Sequence, residues 1–237
     1  NKQKIVNIIN ALGIKILRFP GGCGGDAYNW QDISNPNNVF GSEIDDYIEI
    51  LGLTGAEAFY TLNIENSSFK SHVNLNCHNL IDHPGTLQEA EQLISYFQSQ
   101  GQDINHIEIS NEPWAGGIGL PNWKESWDAG EYADTVEEYV LTLKKLNPNI
   151  KFTAATGNNV RWEDAIKNSR INSDIFAFQY HPYHFGNEYK DNPLNQAKLT
   201  ETLLKNAKNR HNKRLAVTEY NLYCWTGFKM PNGKEYY

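Results

Sequence analysis

Strand-like and helix-like segments alternate along the chain, and this alternation constrains the fold more than any other feature. Six short runs of β-branched or alternating apolar residues are separated by segments with apolar residues at helical spacing. Strands that alternate with helices pair in parallel, because each helix returns the chain to the same end of the sheet. The sequence therefore predicts a parallel α/β sheet, with strands at 14–19, 57–63, 106–112, 151–155, 175–181 and 214–220.

The intervening helices carry start and stop signals. Thr86 followed by Glu89 has the pattern of a capping box, and Gly101 follows the last apolar residue of the same segment. The predicted helices are 2–12, 42–52, 86–100, 132–146, 162–168 and 194–209. A (β/α)8 TIM barrel has eight strands in about 250 residues, whereas this sequence of 237 residues begins with a helix and has six predicted strands. We expect a single barrel domain over residues 1–237, without its first and last strands, in a fragment of a longer chain.

Composition excludes several classes of partner. The formal net charge is −7, whereas nucleic-acid binding needs clustered Lys and Arg. The one basic cluster, residues 208–214, lies between a predicted helix and a predicted strand, where a solvated turn explains it. No apolar run approaches the roughly 20 residues that cross a bilayer. We expect neither a nucleic-acid nor a membrane partner, and the sequence leaves the oligomeric state open.

Two glutamates occupy the ends of predicted strands. Glu112 follows the third strand and stands before Pro113, which cannot donate to a sheet, and Glu219 lies at the end of the sixth. Parallel strands of a barrel bring such ends to one rim, where active sites of this fold collect. Two carboxylates there can hydrolyse a glycosidic bond, with a separation of about 5–5.5 Å for retention and about 6.5 Å or more for inversion. Arg18, near the end of the first strand, is expected to keep the attacking carboxylate ionised.

Aromatic residues cluster after the predicted strands, where flat faces stack on sugar rings. Some of them are expected to be packing residues instead. The aromatics concerned are Tyr28, Trp30, Trp114, Trp123, Tyr180, Tyr183, Tyr223 and Trp225. His181 and His184 flank one strand end, but they lack a third metal ligand of clear spacing. We assign no metal site, expect no cofactor, and expect His181 to bond to a carbohydrate substrate or to Glu219.

With these residues the chain resembles a clan A retaining glycoside hydrolase, most of all the α-L-arabinofuranosidases of glycoside hydrolase family 51. The motifs that carry the resemblance are Arg18-Phe19-Pro20-Gly21-Gly22, Tyr28-Asn29-Trp30, Asn111-Glu112, His181-Pro182-Tyr183 and Glu219-Tyr220. The resemblance implies that Glu112 is the general acid/base and Glu219 the nucleophile. It also implies that Asn111 binds the sugar 2-hydroxyl. Arg18, with Tyr183 or His181, would support the nucleophile.

Three features depart from the pattern of that family. Ser110 stands where Gly is usual, Thr218 precedes Glu219 where Asp is common, and the loop Cys23-Gly24-Gly25-Asp26 is unusual. The specificity therefore stays open between arabinofuranosidase action and endo-acting glucanase, xylanase or xyloglucanase action on plant-type polysaccharides. A carbohydrate-binding barrel without turnover is the alternative from another class. By analogy with other polymer-degrading hydrolases, an extracellular or periplasmic location is expected.

Overall fold

The computed structural model describes residues 2–26, 28–31, 44–64, 85–115, 127–157, 159–182, 193–219, 228–229 and 235–236. Six parallel strands form one sheet in which spatial order follows chain order, as in the wall of a barrel. The strands are β1 Ile16–Phe19, β2 Glu57–Leu62, β3 Ile104–Ile109, β4 Lys151–Ala155, β5 Ile175–Tyr180 and β6 Arg214–Val217. The predicted parallel α/β sheet is confirmed as a six-stranded half-barrel.

The helices between the strands form the outer layer. They are α1 Lys2–Leu12, α2 Ile44–Thr54, α3 Leu87–Ser99, α4 Ala129–Leu146, α5 Val160–Asn168 and α6 Pro193–His211. The capping box of Thr86 and Glu89 is present at the start of α3. The predicted start of α4 at Tyr132 was wrong by three residues, because Asp128 and Glu131 form a second capping box.

The third strand is buried on both faces. Ile107 and Ile109 pack in the apolar core with residues of α3 and α4, whereas Glu108, on the opposite face, has no solvent exposure. Both faces of strands in a parallel sheet are covered, so the polar half of this alternating pattern does not face water. Instead it faces the interior of the half-barrel, where the side chain of Glu108 meets residues from four other strands or their ends.

The two edge strands leave the interior open. Among the described residues, β1 and β6 each pair with one neighbouring strand only, and Ile16 and Val217 on these edges are 45% and 43% exposed. A cavity of about 620 Å³ lies between them, and each of the six strands contributes to its lining. β6 is shorter than predicted and ends at Val217, so Glu219 follows the strand by two residues.

Outside the sheet, a buried ionic cluster joins α5 to α6. Glu163 has no solvent exposure. Its carboxylate accepts hydrogen bonds from Arg210 at 2.9 and 3.0 Å and from the hydroxyl of Tyr180, and it lies 2.5 Å from Nε2 of His211. Burial alone would raise the pKa of Glu163, but the bonds from Arg210 and Tyr180 and the nearby positive charge outweigh it and lower the pKa.

A short antiparallel pair, β7 Phe228–Lys229 and β8 Glu235–Tyr236, follows β6 in the region predicted as a loop. In the part of the chain that the structure describes, no helix combines the length and the apolar character that a membrane span requires.

Candidate active site

The carboxyl ends of the strands bring the predicted catalytic residues together. Glu112 leaves β3 just before a single 3-10 turn at Pro113–Ala115, and Glu219 lies beyond the end of β6. A carboxylate oxygen of Glu112 and one of Glu219 lie within 4.8 Å of each other. Each of these side chains is 19% exposed. Two partly exposed carboxylates therefore face the same small volume.

Arg18 of β1 links this pair to the interior of the half-barrel. Its Nη1 donates to Glu219 Oε1 at 3.0 Å, and its Nη2 donates to Asn111 Oδ1 at 2.6 Å. Its Nε and Nη2 also donate to Oε2 of Glu108, at 2.8 and 2.6 Å. Burial by itself lowers the pKa of Arg18, but the two carboxylates outweigh it and raise the pKa. Arg18 therefore stays positive and holds Glu219 in place.

Glu108 is a central residue of the site that the sequence reasoning missed. Besides Arg18, it accepts hydrogen bonds from Thr61 at 2.8 Å, Gln179 at 2.7 Å and Thr218 at 2.9 Å. The signal was available: a charged residue in the middle of a strand buried on both faces needs charged or polar partners. Glu108 thereby ties β1, β2, β5 and the end of β6 to β3.

His181, directly after β5, is hydrogen-bonded to Glu112. Its Nδ1 lies 2.7 Å from Oε1 of Glu112, whereas its distance to Oε2 of Glu219 is 3.9 Å. Its Nε2 lies 2.9 Å from the hydroxyl of Thr218. The hydrogen bond of His181 therefore goes to Glu112, whereas Glu219 is at the longer distance of an ion pair, and the expected bond to a substrate stays a prediction. The side chain of His181 is 1% exposed, so this hydrogen bond is shielded from solvent on the side of the histidine.

The turn that presents Glu112 is held by a buried carboxylate. Asp26, at the end of the 3-10 turn Gly22–Asp26, accepts from the hydroxyl of Ser110 at 2.8 Å and from the backbone N–H of Asn111 at 2.7 Å. Ser110 has φ of 65°, a left-handed conformation that favours glycine. The bond to Asp26 compensates part of this strain, which explains how a serine is accommodated here. From the sequence, Asp26 was noted only as part of an unusual loop and was given no role.

Asn111 is almost fully buried beside this turn. Its side-chain oxygen accepts from Arg18, and its backbone carbonyl accepts from Nε2 of Gln179 at 2.5 Å. The amide N–H₂ of Asn111 is the group of this side chain that suits a sugar hydroxyl, because an amide nitrogen only donates. The predicted contact with a substrate stays a prediction.

Trp114 forms a wall of the site. Its ring centroid lies 5.8 Å from that of His181 in an edge-to-face arrangement. The indole also covers Gly157, because a Cβ built on that glycine would lie 1.4 Å from Nε1 of Trp114. Gly157 therefore provides the space in which the indole sits.

The structure places two of the predicted substrate-binding residues in packing contacts. Tyr28 is 7% exposed and packs edge-on against Phe19 at 5.2 Å, so its ring belongs to the core. Trp30 packs on Tyr96 of α3 at 5.3 Å and donates to the backbone carbonyl of Glu89. Tyr28 is therefore a packing residue, and Trp30 packs one side of its ring against α3. Tyr183 and Trp225, also predicted to bind substrate, lie outside the described residues.

Within the described part of the chain, one group of side chains has the proximity of a metal site. It consists of Glu112, His181 and Glu219, with potential ligand atoms within 4.8 Å of one another. Each of the two carboxylates already has a basic partner: Glu219 pairs with Arg18, and Glu112 pairs with His181. A fixed positive guanidinium beside one carboxylate opposes a second cation, so we assign no metal here. His184, the other histidine weighed as a metal ligand, lies outside the described residues.

Comparison with known proteins supports the resemblance drawn from the motifs. No protein-family model matches the chain. An intracellular exo-α-L-arabinofuranosidase from Bacteroides ovatus is 22% identical over 217 residues, which is 77% of this chain and 37% of that protein.

Solved structures give the same picture. An α-L-arabinofuranosidase from Thermotoga maritima aligns with a TM-score of 0.67 at 19% identity, covering 97% of this chain and 51% of that one. A thermostable family 51 α-L-arabinofuranosidase from Thermotoga petrophila aligns with a TM-score of 0.69 at 20% identity, covering 95% of this chain and 49% of that one. A family 30 xylanase from Clostridium acetobutylicum aligns with a TM-score of 0.53 at 12% identity, covering 100% of this chain and 65% of that one. The six-stranded half-barrel thus aligns with part of each of these glycoside hydrolase structures, and the chain spans about half the length of the arabinofuranosidase structures.

Proposed function

We propose that this protein is a retaining glycoside hydrolase and that its activity is that of an α-L-arabinofuranosidase. One observation carries the proposal: carboxylate oxygens of Glu112 and Glu219 lie within 4.8 Å of each other at the carboxyl ends of parallel strands. Facing oxygens this close are compatible with the carboxyl separation of about 5–5.5 Å in retaining enzymes, which supports retention over inversion.

The two glutamates have different partners, which supports different roles. Glu219 accepts from the cationic Arg18 at 3.0 Å, and an adjacent cation favours the carboxylate form that a nucleophile needs. Glu112 lies against His181 at 2.7 Å, a partner that can share a proton with it.

The reaction then proceeds by double displacement. Glu219 attacks the anomeric carbon while Glu112 protonates the departing oxygen, and the sugar becomes an ester of Glu219. Glu112, now ionised, removes a proton from water, which attacks the same carbon and frees the sugar with its original configuration. When Glu219 becomes a carboxylate again, the positive charge of Arg18 stabilises it.

Substrate contacts form the second part of the proposal. Asn111 is proposed to donate to the sugar 2-hydroxyl, Trp114 to pack against the sugar, and Tyr183 and Trp225 to complete the pocket. The half-barrel is also proposed to be part of one complete (β/α)8 domain. The unpaired edges of β1 and β6 and the cavity of about 620 Å³ between them support this proposal, since two further strands would cover exposed Ile16 and Val217.

The substrate class follows from the relatives. The Bacteroides ovatus relative and the two Thermotoga structures are arabinofuranosidases, which supports an α-L-arabinofuranosyl substrate. The similarity to a xylanase gives the alternative, endo-acting hydrolysis of a plant polysaccharide backbone with the same glutamates.

The test is initial-rate hydrolysis by the full-length protein of aryl glycosides, including 4-nitrophenyl α-L-arabinofuranoside, and of arabinan, arabinoxylan, xylan, glucan and xyloglucan. We expect release of arabinose, and a loss of at least about 10³-fold in kcat for Glu219→Ala. Release of oligosaccharides from an undecorated backbone would support the endo-acting alternative. If the sugars bind and none is hydrolysed, the protein is a carbohydrate-binding barrel.

A further inference from the structure

Hydrogen bonds connect Glu108 through Thr218 and His181 to Glu112. The donor and the acceptor of each bond can be assigned by starting from Glu108. Glu108 is fully buried and forms an ion pair with Arg18 at 2.6 Å. The amide nitrogen of Gln179 and the guanidinium of Arg18 can only donate, so both oxygens of Glu108 act as acceptors. The hydroxyl of Thr218, 2.9 Å from Oε1 of Glu108, therefore donates to it.

This assignment fixes the proton of His181. A threonine hydroxyl has a single proton, and that of Thr218 points to Glu108. Oγ1 of Thr218 must then accept from Nε2 of His181 at 2.9 Å, so Nε2 carries a hydrogen. The other ring nitrogen, Nδ1, lies 2.7 Å from Oε1 of Glu112. Two bare acceptors repel at that distance, so one proton lies between them.

We propose that Thr218 is a positioning residue for the general acid: by holding the hydrogen of His181 on Nε2, it makes Nδ1 share with Glu112 the proton that Glu112 delivers to the leaving oxygen. This inference rests on the proposed function of the site. With the hydrogen held on Nε2, loss of the shared proton leaves a lone pair of Nδ1 facing a carboxylate. The arrangement therefore resists losing that proton to solvent and keeps Glu112 ready as an acid.

The proton balance follows the two steps of the reaction. In the first step the shared proton passes from Glu112 to the departing oxygen, leaving ionised Glu112 beside neutral His181. In the second step water gives a proton to Glu112, which restores the shared proton. Among the described residues, the other charged groups facing this pair are Glu219, whose Oε2 is 3.9 Å from Nδ1, and Arg18, which is paired to both Glu219 and Glu108. The ring of Trp114 covers one side of His181.

Thr218→Val tests the proposal, because valine keeps the shape of threonine and removes the acceptor for Nε2. His181 can then place its hydrogen on Nδ1 and donate it to ionised Glu112, so that near neutral pH a smaller fraction of Glu112 carries the proton that the leaving oxygen needs. We expect kcat/KM to fall at least about tenfold for a substrate with an alkyl or sugar leaving group, a part of the 10²–10⁴ that general acid catalysis contributes. A 2,4-dinitrophenyl glycoside needs no protonation and should lose less than about threefold. The basic limb of the pH profile should move to lower pH.

Two further variants separate this role from a structural one. Thr218→Ser keeps the hydroxyl and should retain the wild-type dependence on the leaving group. Thr61→Val removes another hydrogen bond to Glu108, of 2.8 Å, from a buried threonine. It should destabilise the protein without changing the dependence on the leaving group. Equal losses for both classes of substrate in Thr218→Val, with an unmoved basic limb, would overturn the proposal.

The protonation of His181 can also be measured without activity or mutation of Thr218. In a long-range ¹H–¹⁵N spectrum of the histidines, with the signals assigned by His181→Gln, we expect Nε2 to carry a hydrogen at neutral pH. A bare Nε2 would refute the inference even in a fully active enzyme. If the wild type hydrolyses no glycoside, the proposed function fails, and the spectrum still decides the assignment of the proton.

Discussion

Removal of the Arg18 guanidinium should be among the most destabilising single changes in this protein. The group donates four hydrogen bonds, two to Glu108 and one each to Asn111 and Glu219. Arg18→Met keeps most of the apolar stem and leaves the fully buried Glu108 without its cation. Loss of one partner of a buried ion pair costs about 3–5 kcal/mol. Because three other side chains still donate to Glu108, we expect a loss near the lower end, about 3 kcal/mol.

The assay is urea unfolding at neutral pH, followed by circular dichroism and tryptophan fluorescence. The matched control is Arg161→Met, which breaks an ion pair with Asp128 in which the side chains are 73% and 49% exposed. Such exposed pairs contribute about 0–1 kcal/mol. The double variant Arg18→Met, Glu108→Met should lose less than the sum of its single variants, since neither charge is then left alone. A loss for Arg18→Met no larger than that for Arg161→Met would refute this reasoning.

Three other outcomes follow from the described contacts. Gly157→Ala should displace Trp114 and lower both stability and kcat, because the added Cβ would lie 1.4 Å from Nε1 of the indole. The control is Gly55→Ala, because Gly55 has φ of +66° and open space around it. This control measures the backbone strain alone, about 1 kcal/mol. Glu163→Gln should reduce the free energy of unfolding by about 1.5–3 kcal/mol at neutral pH. Since the pKa of folded Glu163 is lowered from 4.5, this contribution is present above that pH and is lost as the pH falls through the folded value, so urea midpoints of variant and wild type should converge in acid. Asp26→Ala should cost about 1–3 kcal/mol in the same assay and lower kcat, because the turn before Glu112 loses two hydrogen bonds; an unchanged kcat would contradict its role in that turn.

Much of the fold could be predicted from local patterns. Alternating residues in β2 and the capping box of α3 depend on neighbours within a few positions, and both were predicted correctly. The capping box of Asp128 and Glu131 is equally local, and its signal was overlooked. The order of the strands followed from the alternation with helices, because each crossover places the next parallel strand beside the last.

The site was harder to predict because its contacts are distant in sequence. Arg18 is 90 residues from Glu108 and 201 from Glu219. The ends of parallel strands identify residues that share a rim, but they do not say which side chain bonds to which. Glu219 was therefore one of the two partners expected for His181, although the hydrogen bond of His181 goes to Glu112. Tyr28 lies on a segment near the rim, yet it points into the core, and local sequence does not determine that direction.

The central claim is that Glu219 forms a covalent bond to the sugar and Glu112 acts as its acid and base. The most direct measurement is mass spectrometry of Glu112→Ala after incubation with a 2,4-dinitrophenyl glycoside of the sugar that the wild type releases. This substrate permits the first displacement without an acid, and the second is slow without the base. We predict a mass increase of one glycosyl group, which peptide mapping assigns to Glu219. Absence of the adduct, together with product of inverted configuration from the wild type by ¹H NMR, would contradict the account.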